Sequence, residues 1–163
     1  MDERKAMLQN LLADRFKLVV HHQPKDFPLY ALVVAKGGPK LQEAKPEEIL
    51  HSGLDGRPMC QHARGGRGVI HLEGCTVGDL AQTLSNWIMV NRGRAVVDQT
   101  GLTGRYTITL QWTPDDAPAT PQQDYSGPSM LTAVKEQLGL ELKPIKGPLD
   151  TIVIDRVEMP SEN

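Results

Sequence analysis

The segment "RYTITLQW" constrains the fold more than any other part of the chain. Tyr106, Ile108, Leu110 and Trp112 alternate with Thr107, Thr109 and Gln111. Successive side chains of a strand point to opposite faces, so this period of two predicts a strand with one buried and one polar face. Just before it, "VVDQTGLTG" reads as a short strand and a shaped turn. Gly101 and Gly104 permit positive φ there, and Asp98, Thr100 and Thr103 either hydrogen-bond the local backbone or face a ligand. The turn is the simpler reading; the ligand-binding reading keeps these three residues as candidates.

Helical periodicity brackets this strand. Met7, Leu8, Leu11, Leu12 and Phe16 fall on one helical face and run into the apolar "KLVV", and after "HHQPKDFP" a second apolar run, "LYALVVAKGG", ends in a glycine pair. Thr76 and Asp79 form a capping-box pattern for a helix whose Val77, Leu80, Leu84, Trp87 and Ile88 share a face, with Gly93 at its exit. A third helix opens at "SGPS", presents Met130, Leu131, Val134 and Leu138, and stops at Gly139 before "LELKP" and "DTIVIDRVEM". The order helix, strand, strand thus occurs three times, at residues 7–36, 76–112 and 129–157. The spacing is irregular, which excludes a solenoid. The expected class is α+β, with antiparallel hairpins in a sheet and helices on one face. "VIHLEG" adds one short strand.

At 163 residues the chain fits one domain spanning 1–163, with polar, Gly- and Pro-rich surface loops at about 39–68 and 113–127. A net charge of -2 and scattered lysines and arginines argue against nucleic acid as a partner. No apolar run is long enough to span a membrane, and "DERKAM" after Met1 is not the apolar core of a secretory signal.

The chemistry-bearing residues are few. Cys60 and Cys75 leave three readings: two buried thiols, a disulfide, or zinc ligands with His62 and His71. The C-x-H and H-x3-C spacings match no standard zinc finger, so no metal and no cofactor is expected. "GGRG" at 65–68 lacks the Lys-Ser/Thr of a phosphate loop and leads into a strand, which makes it a flexible loop. His21 and His22, adjacent on a strand, point to opposite faces and do not share a metal. Ser126 and Ser129 sit where a helix cap belongs, and no G-x-S-x-G elbow is present. Glu73, Asp98, Asp115 and Asp116 are carboxylates near loops, and a solvated surface explains such groups in an acidic chain.

"MLQNLLADRFKLVVHHQPKDFPLYALVVAKGGPKL", "TVGDLAQTLS", "VVDQTGLTGRYTITLQW" and "LELKPIKGPLDTIVIDRVEMPSEN" together resemble the uncharacterised bacterial family called domain of unknown function 3738, abundant in soil Acidobacteria. Its members usually carry an export signal and a further N-terminal region, and some are fused to membrane metalloprotease receptors. The resemblance implies a periplasmic or secreted domain and brings no catalytic residues with it. Together with the cysteine pair, it leads to the expectation of a Cys60–Cys75 disulfide. Two functions follow as expectations. The first is a non-catalytic binding or interaction module for an unknown protein or cell-envelope ligand. The alternative is a small hydrolase, of esterase or glycosidase type, using His62, His71 and Glu73.

Overall fold

The computed structural model describes residues 3–49, 60–66, 68–114 and 127–159, with side chains at 6–49, 60, 68–88, 93–114 and 127–159. The elements follow in the order α1 (Glu3–Phe16), β1 (Val19–Val34), β2 (Gln42–Glu43), a 3-10 turn (Pro46–Glu48), β3 (Gln61–Gly66), β4 (Val69–Cys75), α2 (Val77–Arg92), β5 (Val96–Asp98), β6 (Tyr106–Gln111), α3 (Met130–Leu138) and β7 (Leu140–Arg156). The strands form two sheets, ordered β5-β1-β7 and β2-β6-β4-β3. The class is α+β.

The strand connections differ from the three expected hairpins. "KLVV" and "LYALVV" belong to one continuous strand, β1, and "LELKP" and "DTIVIDR" to another, β7. The intervening "HHQPKDFP" holds no residue at positive φ, and Pro24 and Pro28 favour extended backbone in themselves and in the residues before them, so nothing reverses the chain. β5 and β6 also do not pair with each other. β5 runs parallel to β1, with Tyr30 opposite Val96 and Leu32 opposite Asp98, whereas β6 runs antiparallel to β4, with Leu72 opposite Ile108 and His71 opposite Thr109. The helices are accordingly distributed over two sheets: α2 packs on β5 and β4, and α3 on β6. The excursion expected over 39–68 contains β2, the 3-10 turn and all of β3, which pairs with β4. Residues 50–59 of that excursion and 115–126 of the second, with Asp115, Asp116 and Ser126, lie outside the described residues.

The chain divides into two compact units, Met1–Phe27 with Lys146–Asn163, and Pro28–Ile145. The second contains the core. Leu32, Leu72, Leu80, Leu84, Leu110, Val134 and Leu140 are fully buried there. β6 buries Ile108 and Leu110 and exposes Thr109 and Gln111, as its alternation requires. Trp112 is buried and meets Trp87 edge to face, with ring centroids 5.6 Å apart. At the start of α2 the Asp79 amide donates to Thr76 Oγ1 and the Thr76 amide to Asp79 Oδ2, a reciprocal capping box. Ser129 Oγ accepts from the Thr132 amide to cap α3. Gly139 ends that helix at φ 63°, and a Cβ there would collide with the Gly38 carbonyl oxygen, so conformation and packing both require glycine.

The first unit is built differently. α1 ends where Lys17 takes φ 48°, and the Glu158 amide donates to the Phe16 carbonyl. The parts of β1 and β7 in this unit are tied by His21 Nδ1 to Asp155, His22 Nδ1 to Asp150, and Thr151 Oγ1 donating to the Gln23 carbonyl. Both histidines are exposed. On the expected apolar face of α1, Leu12 and Phe16 are half-buried, but Met7, Leu8 and Leu11 are exposed.

Candidate functional site

β4 places His71 and Glu73 two residues apart, hence on one face of its sheet. Antiparallel pairing then sets Thr109 of β6 directly opposite His71. Thr109 Oγ1 lies 2.8 Å from His71 Nδ1, and Glu73 Oε1 lies 3.0 Å from His71 Nε2. An ionised carboxylate only accepts, so the ring proton of a neutral His71 sits on Nε2 and leaves Nδ1 to accept the Thr109 hydroxyl proton. A hydroxyl, an imidazole and a carboxylate therefore stand in one hydrogen-bonded line.

Glu48, from the 3-10 turn, extends this polar face. Its Oε2 accepts from Thr107 Oγ1 at 2.7 Å and from the Lys45 amide at 2.8 Å. The Thr107 hydroxyl above all, and then the Lys45 amide, hold the Glu48 carboxyl below its ordinary pKa, with smaller contributions from the Lys45 and His71 charges. A carboxyl whose pKa is depressed on folding contributes stability above its unfolded pKa and loses it as pH falls through the folded value. Thr107→Val removes the leading cause. Its stability should fall less steeply than that of the unsubstituted protein on acidification below the ordinary carboxylate pKa, measured as the urea midpoint against pH. Identical slopes would assign the acid sensitivity to other groups.

The sequence candidates are only partly brought together. His71 and Glu73 meet. The backbone register sets His62 opposite Leu72, whose side chain is buried, rather than opposite His71; the His62 side chain lies outside the described ones. The sequence alone does not single out Thr109, Thr107 or Glu48 as site residues. Thr109 and Thr107 are visible in the sequence as the polar face of an alternating strand, but their partners follow only from the strand register.

Asp98 and Thr100 act locally. Asp98 Oδ1 accepts from the Thr100 amide at 2.9 Å and its hydroxyl at 2.7 Å, and Thr100 Oγ1 accepts from the Leu102 amide at 3.2 Å. These bonds, with Gly101 at φ 72°, build the turn that the simpler reading expects. Gly104 is not at positive φ; a Cβ there would come within 2.7 Å of the Tyr106 hydroxyl, so close approach is what favours glycine. Thr103 is exposed.

Cys60 and Cys75 are joined by a disulfide with Cα atoms 4.5 Å apart. It ties the start of the β3 segment to the end of β4. Asp79 lies beside the two sulfurs, within 4.8 Å, but bonded sulfurs offer no thiolate, which removes the zinc and free-thiol readings. The flexible loop expected at "GGRG" is not what forms at its first two residues: Gly65 and Gly66 pair with Ile70 and Val69 as the end of β3, and Gly68, at φ 81°, leads into β4.

The family model for a protein of unknown function, DUF3738, matches residues 1–157. The chain belongs to this family. No curated protein and no solved structure matches it. The DUF3738 assignment covers nearly the whole chain, including the His71 face and the disulfide, and carries no activity with it.

Proposed function

We propose that the protein is a non-catalytic, extracytoplasmic interaction module whose first unit presents an apolar surface to a protein partner of the cell envelope. The observation behind this reading is the distribution of exposed apolar side chains. Met7, Leu8, Leu11, Val19, Val20, Ile152, Ile154, Val157 and Met159 are the exposed large hydrophobic residues among those described, and every one belongs to the first unit. Met7, Ile152 and Ile154 each expose more than 60% of their surface. Single exposed apolar residues are ordinary, but their concentration in one part of a chain is the mark of an interaction surface. The disulfide supports an oxidising compartment. Among the described residues no helix is long and apolar enough to cross a membrane.

The test compares capture of partners from envelope extract by the unsubstituted protein, by Met7→Ser/Leu11→Ser and by Ile152→Ser/Ile154→Ser. Because these side chains are already exposed, the variants should keep their melting temperatures. Loss of the same partner band in both is the expected result. Undiminished capture by both folded variants would reject the surface.

The Thr109, His71, Glu73 line favours a second reading, a hydrolase in which His71 takes the Thr109 proton and Glu73 orients the ring. Against it, the backbone flanking Thr109 is committed to pairing with β4, Ile108 opposite Leu72 and Leu110 opposite Ile70, and an acyl-transfer site needs amides aimed at the developing oxyanion. Ester turnover abolished by both His71→Ala and Thr109→Val would favour the hydrolase over the interaction module.

A further inference from the structure

We infer that the turn after β1 and the end of α3 form a binding pocket for a small organic dianion. A cavity of about 550 Å³ opens there in the second unit, lined by Ala35, Lys36, Gly37, Gly38, Lys40, Lys135, Gly139 and Glu141. That volume falls within the range of small-molecule sites.

The charge around the cavity is unbalanced, with three ammonium groups against one carboxylate. Lys40 is partly committed: its Nζ donates to the Glu136 carbonyl at 2.9 Å and so offsets the negative end of α3. Lys36 and Lys135 are exposed, and among the described residues neither ammonium group has a hydrogen-bond or ion-pair partner. Glu141 pairs with neither of them. The excess of two positive charges matches a ligand with two negative ones, and Ala35 with the lysine stems offers apolar contact for a short carbon body.

Gly37 provides the second observation. Its φ is not positive, and a Cβ built on it would meet nothing within 4 Å. Neither conformation nor packing therefore requires glycine at this position, in contrast to Gly139, where both do. What glycine at 37 does is leave the lining of the cavity without a side chain.

The test is an amide chemical-shift titration of the whole protein in low salt with two probes, succinate and glycerol phosphate, which separate carboxylate from phosphoryl recognition. Saturable shifts confined to 35–40 and 135–141, with a dissociation constant of about 1 mM or tighter for at least one probe, are the expected result. Gly37→Leu, which has open space for its side chain, should weaken binding about tenfold or more at unchanged melting temperature. Lys36→Gln/Lys135→Gln should do the same, and stands in for Gly37→Leu if that variant melts lower. Absence of saturable shifts for both probes would overturn the proposal, as would binding unaltered in the folded variants. The apolar surface of the first unit plays no part in this pocket, so each proposal can fail without the other.

Discussion

Ile108→Asp will destabilise the protein by at least about 4 kcal/mol, enough to unfold much of it at room temperature if its stability is ordinary. Ile108 is 1% exposed, in the centre of β6 opposite Leu72, within the core that α2 and α3 also contribute to. An aspartate there loses the packing of a buried aliphatic side chain and gains a carboxylate with no partner. The damage should depend on pH in a defined sense. Burial raises the carboxyl pKa above its unfolded value, so the penalty is smallest in acid, where the group is neutral, and grows as pH rises through the unfolded pKa. Gln111→Asp, on the exposed face of the same strand, is the control and should cost less than about 1 kcal/mol. Urea denaturation of both variants checks the pair. Equal losses would mean that the outer face of β6 is covered, and the one-sided burial described above would be wrong.

The contrast between Ile108 and its polar neighbours is legible in the sequence because a strand writes its burial into a period of two. Other local signals are as direct. Thr76 with Asp79, Ser129 and Gly139 mark helix ends through bonds that span a few residues, and each does what its position announces. Strand pairing is not written locally. Nothing within "VVD" says that its partner is β1 rather than β6, because the partner lies more than sixty residues away and the pairing is decided by how the core closes. The same limit applies to the site. His71 and Glu73 share a face by their spacing alone, whereas the Thr109 hydroxyl reaches the ring through an interstrand register. α1 shows the converse. Its 3.6-residue period is real, yet periodicity records an apolar face without recording what covers it, and Met7, Leu8 and Leu11 are exposed.

The disulfide joins these two kinds of information, since its cysteines are visible in the sequence and its effect is exerted on non-local structure. Cys60 and Cys75 are 15 residues apart, and the loop between them contains β3, its turn into β4, and most of β4. Cross-linking the ends of a loop of that length removes chain entropy from the unfolded state worth about 3 kcal/mol. Cys75 is fully buried in the same core cluster as Val77 and Leu80, so its replacement must be apolar; Cys75→Ala with Cys60→Ser leaves no buried hydroxyl. The double variant should lose about 3 kcal/mol, or roughly 6–12 °C in melting temperature for a protein of this size. Dithiothreitol should lower the melting temperature of the unsubstituted protein by a similar amount and leave the double variant unchanged. β4 carries His71 and Glu73 on one face and Ile70 and Leu72 on the other, so loosening its end should be felt at both. Amide exchange is expected to quicken first along β3 and the Glu73 end of β4, while β1 and β5, in the other sheet, stay protected. Exchange that quickens equally in both sheets would show that the bond acts on the stability of the whole second unit and not through the hairpin it closes.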